Sequence, residues 1–158
     1  MNNINILYPE VFLSLGIMSV LMIGVFTKNS YNLVNRLCLL ILLITIAIIF
    51  NSLDYSEKVF LESFSKDKFS DFIKILILVS SIFVLSTTQN FINNVKISKF
   101  EYPILILLSI LGMFFMVSAN DLILFYLGLE LQSLALYILA SINRSDLRST
   151  ESGIKYFV

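Results

Sequence analysis

Residues 121–141 read DLILFYLGLELQSLALYILAS, an apolar run as long as a membrane span, with Glu130 near its middle. About 20 mostly apolar helical residues are needed to cross the core of a bilayer. A charged side chain at that depth costs about 2.5–3.5 kcal/mol on insertion scales, so an intramembrane carboxyl is by default a candidate functional group. This stretch therefore predicts both a transmembrane helix and a site.

The composition of the whole chain is that of an integral membrane protein. Hydrophobic residues make up 58% of the sequence and charged residues only 14%. Eleven Lys and Arg balance eleven Asp and Glu, so no basic excess indicates a nucleic-acid partner. The chain has no His and one Cys, Cys38, which excludes an internal disulfide and the usual zinc patterns. We expect Cys38 to be a small core residue, and we expect no redox centre or cofactor in this chain.

Five segments have the length and composition of transmembrane helices. The predicted fold class is therefore all-α and integral to the membrane, with five transmembrane helices, the start of a sixth, and one membrane segment over residues 1–158. Pro9 suits the first turn of the first span, and Asn120 or Asp121 suits the N-cap of the fifth. The predicted spans are Tyr8–Thr27, Leu37–Leu53, Phe72–Thr88, Tyr102–Ser118 and Asp121–Ile142, and the partial sixth helix is Ser149–Val158.

The loops predict an orientation. Six Lys and Arg fall on one side of the membrane and three on the other, and the positive-inside rule assigns the richer side to the matrix or cytoplasm. The side with fewer Lys and Arg carries the long charged loop Asp54 to Asp71. We expect this loop to be a solvated connector with both positive and negative residues, or alternatively a short surface helix. The richer side has Lys28, Arg36, Lys96, Lys99, Arg144 and Arg148, and the poorer side has Lys58, Lys66 and Lys68.

Glu130 belongs to a polar stripe on the fifth span. Residues at i, i+4, i+7 and i+11 share a helix face, and from Tyr126 this spacing gives Glu130, Ser133 and Tyr137. Such a stripe favours contact with protein or a hydrated path rather than lipid. A proton relay is one interpretation, and a static helix–helix hydrogen bond from a neutral carboxyl is the other.

Two lysines within predicted spans need separate interpretations. Lys74 opens the third span, close enough to the interface to extend its ammonium into water. Lys155 falls in the partial sixth helix, where it could do the same or lie on a proton path.

Spans four to six resemble a known family. Residues 101–137, which include the run LELQSL around Glu130, closely resemble the NADH dehydrogenase subunit 2 family of antiporter-like subunits of respiratory complex I. The run SGIKYFV at 152–158 is similar to the next motif of that family, and Tyr8–Glu10 and Asp71–Leu76 fit its earlier helices.

The resemblance implies a function. Family members are bundles of about fourteen helices around two inverted five-helix repeats, and they translocate protons driven by NADH oxidation and quinone reduction in other subunits. Glu130 matches the glutamate of helix five, which pairs with a lysine of helix seven, and Lys155 matches the lysine at the start of helix six. NADH, FMN, iron–sulfur clusters and ubiquinone are bound by other subunits.

The resemblance also implies partners and a location. Helices seven, eight and twelve lie beyond residue 158, so we expect a complementary chain, as in a split subunit, with a truncated chain as the other interpretation. Further partners would be the other membrane-arm subunits of complex I and the lipid bilayer. The expected location is the mitochondrial inner membrane, with a bacterial plasma membrane as the alternative.

Two other functions remain open at this point. A subunit of a related multisubunit cation/proton antiporter or membrane-bound hydrogenase would share the helix-five glutamate. A structural half-subunit without its own proton conduction would need no lysine beside Glu130.

Overall fold

Six helices and one short hairpin make up the part of the chain that the structure describes. A computed structural model describes residues 7–27, 31–52, 57–59, 63–95, 99–143 and 146–158. The order of the elements is α1 Tyr8–Phe26, α2 Tyr31–Asn51, β1 Glu57–Val59, β2 Phe64–Lys66, α3 Lys68–Val95, α4 Glu101–Ser118, α5 Leu122–Ala140 and α6 Leu147–Phe157. Helices α1, α2, α4 and α5, and the Lys68–Gln89 part of α3, are each long and apolar enough to cross a membrane. The predicted all-α membrane fold is thus confirmed.

Helix α4 lies at the centre of the bundle. It packs against α1, α2, α3 and α5, and α6 packs against α5. Its face toward α1 to α3 contributes to a core of tightly packed aliphatic and aromatic side chains, which buries apolar surface away from lipid and water. Cys38 is fully buried in this core, as expected. Other members are Leu13, Ile17, Leu42, Leu78, Leu107, Ile110 and Phe114.

Two glycines bring α4 and α5 together. A Cβ on Gly112 would lie 2.7 Å from both the Gln132 nitrogen and the Gly128 oxygen, and one on Gly128 would lie 2.8 Å from the Gly112 oxygen. Backbones can approach this closely only where side chains are absent, as at many helix crossings in membranes. The crossing sets which face of α5 points toward α4.

The boundaries of several elements differ from the prediction. Helix α3 begins four residues before the predicted Phe72, so Asp71 is helical rather than part of a loop. Helix α6 begins two residues before the predicted Ser149, because the Asp146 side chain accepts a hydrogen bond from the Arg148 nitrogen at 3.1 Å and caps the helix. Asp121 occupies the N-cap of α5, as predicted, in extended backbone, but its side chain makes no capping hydrogen bond.

The expectation of a solvated connector between α2 and α3 was wrong in its described part. Strands β1 and β2 pair antiparallel, with Glu57 opposite Lys66 and Val59 opposite Phe64. We call this unit the hairpin. Phe64 is 2% exposed, and the Asn120 nitrogen donates to the Ser63 oxygen at 2.9 Å, which fixes the hairpin to the α4–α5 junction. The hairpin thus covers the end of the bundle where α1 and α3 begin and α2 and α4 end, here called the hairpin end.

The opposite end of the bundle carries described basic residues from three elements. Arg36 lies near the start of α2, Arg148 lies in the first turn of α6, and the Lys99 ammonium donates to the Ile142 oxygen at 2.6 Å. These three residues lie at the same end of the bundle, as expected from the prediction that the loops carrying them face the same side of the membrane. Lys28, Lys96 and Arg144 lie outside the described residues, as does the side chain of Lys58, and the orientation in the membrane stays a prediction.

Candidate functional site

Glu130 lies at mid-span on the face of α5 that points away from α4. It directly precedes Leu131, the middle residue of the helix. Gly128 and Ala135 are the buried residues of α5, and Glu130 lies about 200° around the helix from Gly128, since successive residues are about 100° apart. The carboxyl is half-buried, and only a small part of α5 is covered within this chain. Glu130 is therefore placed where another transmembrane helix could contact it.

Tyr126 is the neighbour that interacts with the Glu130 carboxyl. The two residues are four positions apart on one face of the helix, so the Tyr126 hydroxyl interacts with the carboxyl, and Tyr126 is 59% exposed. None of the ion pairs seen among the described residues includes Glu130. The Tyr126–Glu130 pair is thus an acid with a hydroxyl group beside it, an arrangement that can hold or pass a proton.

The rest of the predicted stripe is used differently. The Ser133 hydroxyl donates to the backbone oxygen of Glu130 at 3.0 Å, so it bonds to the helix and not to the carboxyl. The Tyr137 ring meets the Tyr156 and Phe157 rings edge-on, with centroids 5.1 and 5.5 Å apart. Helix α6 therefore covers the Tyr137 end of the stripe and leaves the Tyr126–Glu130 end accessible.

Lys155 faces away from this pair. Its ammonium lies 2.7 Å from the Glu151 carboxylate, one turn earlier on α6, and the two side chains are 74% and 63% exposed. An exposed i,i+4 ion pair of this kind contributes only about 0.3–0.5 kcal/mol to the stability of its helix. The structure thus brings Tyr126 and Glu130 together and does not bring Lys155 to them.

A second group of charges lies at the hairpin end. The Lys74 ammonium is 2.6 Å from the Glu10 carboxylate, and the Lys66 ammonium is 3.7 Å from the Asp71 carboxylate. All four side chains are at most 2% exposed. We call Glu10, Lys66, Asp71 and Lys74 the ionic cluster.

The predicted extension of Lys74 into water was wrong. The ammonium lies over the rings of Phe64 and Phe114, 5.4 and 5.7 Å from their centroids, and Glu10 neutralises it. The hairpin closes over Lys74 from the aqueous side, so pairing inside the protein replaces hydration.

Lys66 joins the hairpin to two helices. Its ammonium donates to the Ser52 oxygen at 2.7 Å, just beyond α2, and faces Asp71 on α3. Burial lowers the pKa of Lys66 below its ordinary value, while the negative charge of Asp71 opposes the shift. Cationic Lys66 therefore depends on the oxygens around it.

The sequence held a signal for the ionic cluster that the loop interpretation missed. Glu10 is in phase with buried Leu13 and Ile17 on α1, and Lys74 is in phase with buried Leu78 and Leu85 on α3. A charged residue that shares a helix face with buried apolar residues is expected to be buried itself, and therefore to be paired.

Comparison with known proteins shows that the chain is similar to membrane subunits of one enzyme. A family model described as NADH:quinone oxidoreductase/Mrp antiporter, transmembrane, matches residues 119–158. NADH-quinone oxidoreductase subunit N of Pelagibacter ubique is 52% identical across the whole chain, which covers 34% of that relative. Subunit N 1 of Rhizobium meliloti is 45% identical over 95% of the chain and is covered to 31%.

A solved structure has the same fold. A chain in respiratory complex I from Thermus thermophilus, a structure with bound aureothin, superposes with a TM-score of 0.77 over 94% of this chain, at 23% identity. This chain covers 32% of that one. The chain thus spans about a third of the length of the relatives it matches.

Proposed function

We propose that this chain, which is 52% identical to a subunit N of NADH-quinone oxidoreductase over its whole length, is part of such an antiporter-like subunit and contributes part of a proton path in the membrane arm of that complex. Glu130 is the proton-relay group of this part. The observation that carries the proposal is the position of Glu130, which is half-buried at mid-span, beside Tyr126 on the same face of α5, and turned away from α4. An intramembrane carboxyl kept in such a position has a functional role by default.

The relay needs a cation beside Glu130, and none of the ion pairs among the described residues supplies one. A carboxyl at bilayer depth is neutral when alone, and an opposite charge within about 4–6 Å favours its ionised form. A lysine on the remaining helices would titrate together with Glu130, so a change in its distance or charge moves a proton on or off the carboxyl. Those helices, whether from a complementary chain or from more of the same one, pack on the exposed face of α5.

The wider setting is also part of the proposal. The relatives named above are bacterial, which supports a bacterial plasma membrane rather than the mitochondrial location expected from the sequence. Partners are the other membrane-arm subunits and the lipid bilayer. NADH, FMN, iron–sulfur clusters and ubiquinone are bound elsewhere in the complex. Lys155 has at most a secondary role on the proton path.

The test is Glu130→Gln in the assembled complex, reconstituted in proteoliposomes. General acid–base groups contribute about 10²–10⁴-fold to proton transfer, so NADH-driven proton pumping should fall at least about tenfold. Glu101→Gln is the matched control, since Glu101 is an exposed carboxyl at the start of α4 and its loss should leave pumping unchanged. If Glu130→Gln assembles and pumps like the unaltered complex, Glu130 is structural and the chain is a scaffold.

A related cation/proton antiporter is the second candidate, favoured by the wording of the matching family model, which spans both classes. Purification of the native complex separates the two. Co-purification with flavin-containing subunits that oxidise NADH supports the oxidoreductase, and a complex that exchanges cations for protons without such subunits supports the antiporter.

A further inference from the structure

The ionic cluster contains buried carboxylate oxygens that no donor of the cluster reaches. Among the described residues, Glu10 Oε2 and both oxygens of Asp71 are buried without a hydrogen-bond partner. Lys74 donates to the other Glu10 oxygen and otherwise faces two aromatic rings, and Lys66 donates to a backbone oxygen. Leaving charged oxygens unsatisfied in a buried site is costly, and such groups are normally paired with protein or with ordered water.

The distance between Lys66 and Asp71 indicates how a buried oxygen of Asp71 is satisfied. The nitrogen-to-oxygen distance is 3.7 Å, longer than a direct hydrogen bond, which spans about 2.7–3.2 Å. A polar contact across such a gap is a normal position for a bridging water, which typically makes about three hydrogen bonds to buried polar groups. Lys66 can donate to the water, and an Asp71 oxygen can accept from it.

We propose that the ionic cluster is a hydrated site in which an internal water bridges Lys66 and Asp71 and fastens the hairpin to the membrane helices. Lys66 is the only member of the cluster on the hairpin, whereas Glu10 belongs to α1 and Asp71 and Lys74 belong to α3. The bridge therefore joins the hairpin to α3, beside the direct hydrogen bond that joins it to the end of α2.

This site is separate from the proposed proton relay. The ionic cluster lies at the hairpin end, on β2 and in the first two turns of α1 and α3, whereas Glu130 lies in the middle of α5. If the tests below contradict the water bridge, the proposed role of Glu130 as a proton relay is not affected.

A high-resolution cryo-electron microscopy map of the native complex tests the bridge. We expect density for an ordered water within hydrogen-bond distance of both the Lys66 nitrogen and an Asp71 oxygen. A map that resolves other buried waters, but shows a direct Lys66–Asp71 hydrogen bond or no water at this position, would overturn the proposal.

Hydrogen exchange on the assembled complex tests the fastening. Lys66→Met keeps most of the side-chain volume and removes the donor, so amides of the hairpin peptide 57–66 should exchange at least about tenfold faster, the size expected when hydrogen bonds to a charged group are lost. Lys68→Met is the matched control, because Lys68 is exposed at the start of α3. Equal exchange rates in the two variants would contradict the proposal. If Lys66→Met does not assemble, the map of the unaltered complex decides alone.

Discussion

At the residue scale, the buried pair of Lys74 and Glu10 shows how a membrane protein accommodates two charges. The pair lies 2.6 Å apart and is at most 2% exposed, so each charge depends on the other. Removing one member of a buried pair leaves an uncompensated charge, whereas replacing both with apolar residues is often neutral.

We therefore predict that Lys74→Met destabilises the protein by about 3–5 kcal/mol, because the Glu10 carboxylate is left buried without a cation. The double variant Glu10→Leu/Lys74→Met should regain most of that loss. Thermal unfolding in detergent, compared across the single and double variants, measures the difference. Equal losses in both would mean that the pair does not act as a unit.

Tyr126 offers a finer test of the proposed relay than Glu130 itself. Tyr126→Phe keeps the ring and removes the hydroxyl that interacts with the Glu130 carboxyl. A hydrogen bond contributes about 0.5–1.5 kcal/mol net, so the pumping rate of the assembled complex should fall roughly two- to tenfold. Tyr156→Phe, which keeps the edge-on contact with Tyr137, serves as the control and should pump normally. A pumping rate in Tyr126→Phe equal to that of the control would show that the hydroxyl does not assist Glu130.

At the element scale, the crossing of α4 and α5 determines where Glu130 points. Gly112 and Gly128 face each other through backbone atoms, which cannot move without moving a whole helix. A larger residue at either position must therefore separate the helices or rotate α5.

Gly128→Ala should destabilise the bundle by about 1–3 kcal/mol, the usual cost of overpacking, because the new Cβ would lie 2.8 Å from the Gly112 oxygen. Gly16→Ala is the comparison, since its Cβ would meet only the Ile41 side chain, at 3.1 Å, and a side chain can adjust. Unfolding temperatures of the two variants should differ clearly, with Gly128→Ala the lower. If Gly16→Ala proves as destabilising, the crossing has no special role.

The elements also show what could be predicted from sequence and what could not. Helices α1 and α4 were predicted to within one residue at each end, because apolar length and Pro9 are local signals. The hairpin escaped prediction because each strand has three residues and no alternation of apolar and polar side chains. The position of the hairpin depends on the hydrogen bonds from Lys66 to Ser52 and from Asn120 to Ser63. The partners in each bond are far apart in sequence, so no local sequence pattern indicates them.

The same contrast holds for the two charged groups. The position of Glu130 in the middle of a transmembrane helix could be inferred from its apolar surroundings alone, and its Tyr126 neighbour from helical spacing. The burial of Lys74 could not be inferred from its nearness to a predicted interface, since that reasoning assumed open water where the hairpin lies. The partner of Lys155 could have been inferred, because Glu151 lies four residues earlier on the predicted sixth helix, a spacing at which Glu and Lys side chains meet.

At the scale of the whole molecule, the chain has two faces of different character. The side of α4 toward α1, α2 and α3 is a closed core capped by the hairpin, while α5 exposes a broad apolar surface with Glu130 in it. The chain spans about a third of the length of the relatives it matches, and we propose that the second face is where further transmembrane helices pack. Glu130 is on this account one half of a site, and the other half is a cation that these helices supply.

The distance from the Glu130 carboxylate to the nearest lysine nitrogen, measured in an experimental structure of the assembled complex, tests this central claim most directly. We predict a lysine from a helix outside residues 7–158 with its nitrogen within about 4–6 Å of the carboxylate, the range over which an opposite charge governs ionisation. Glu130 facing lipid, or packed only against apolar side chains with no lysine in that range, would contradict the account.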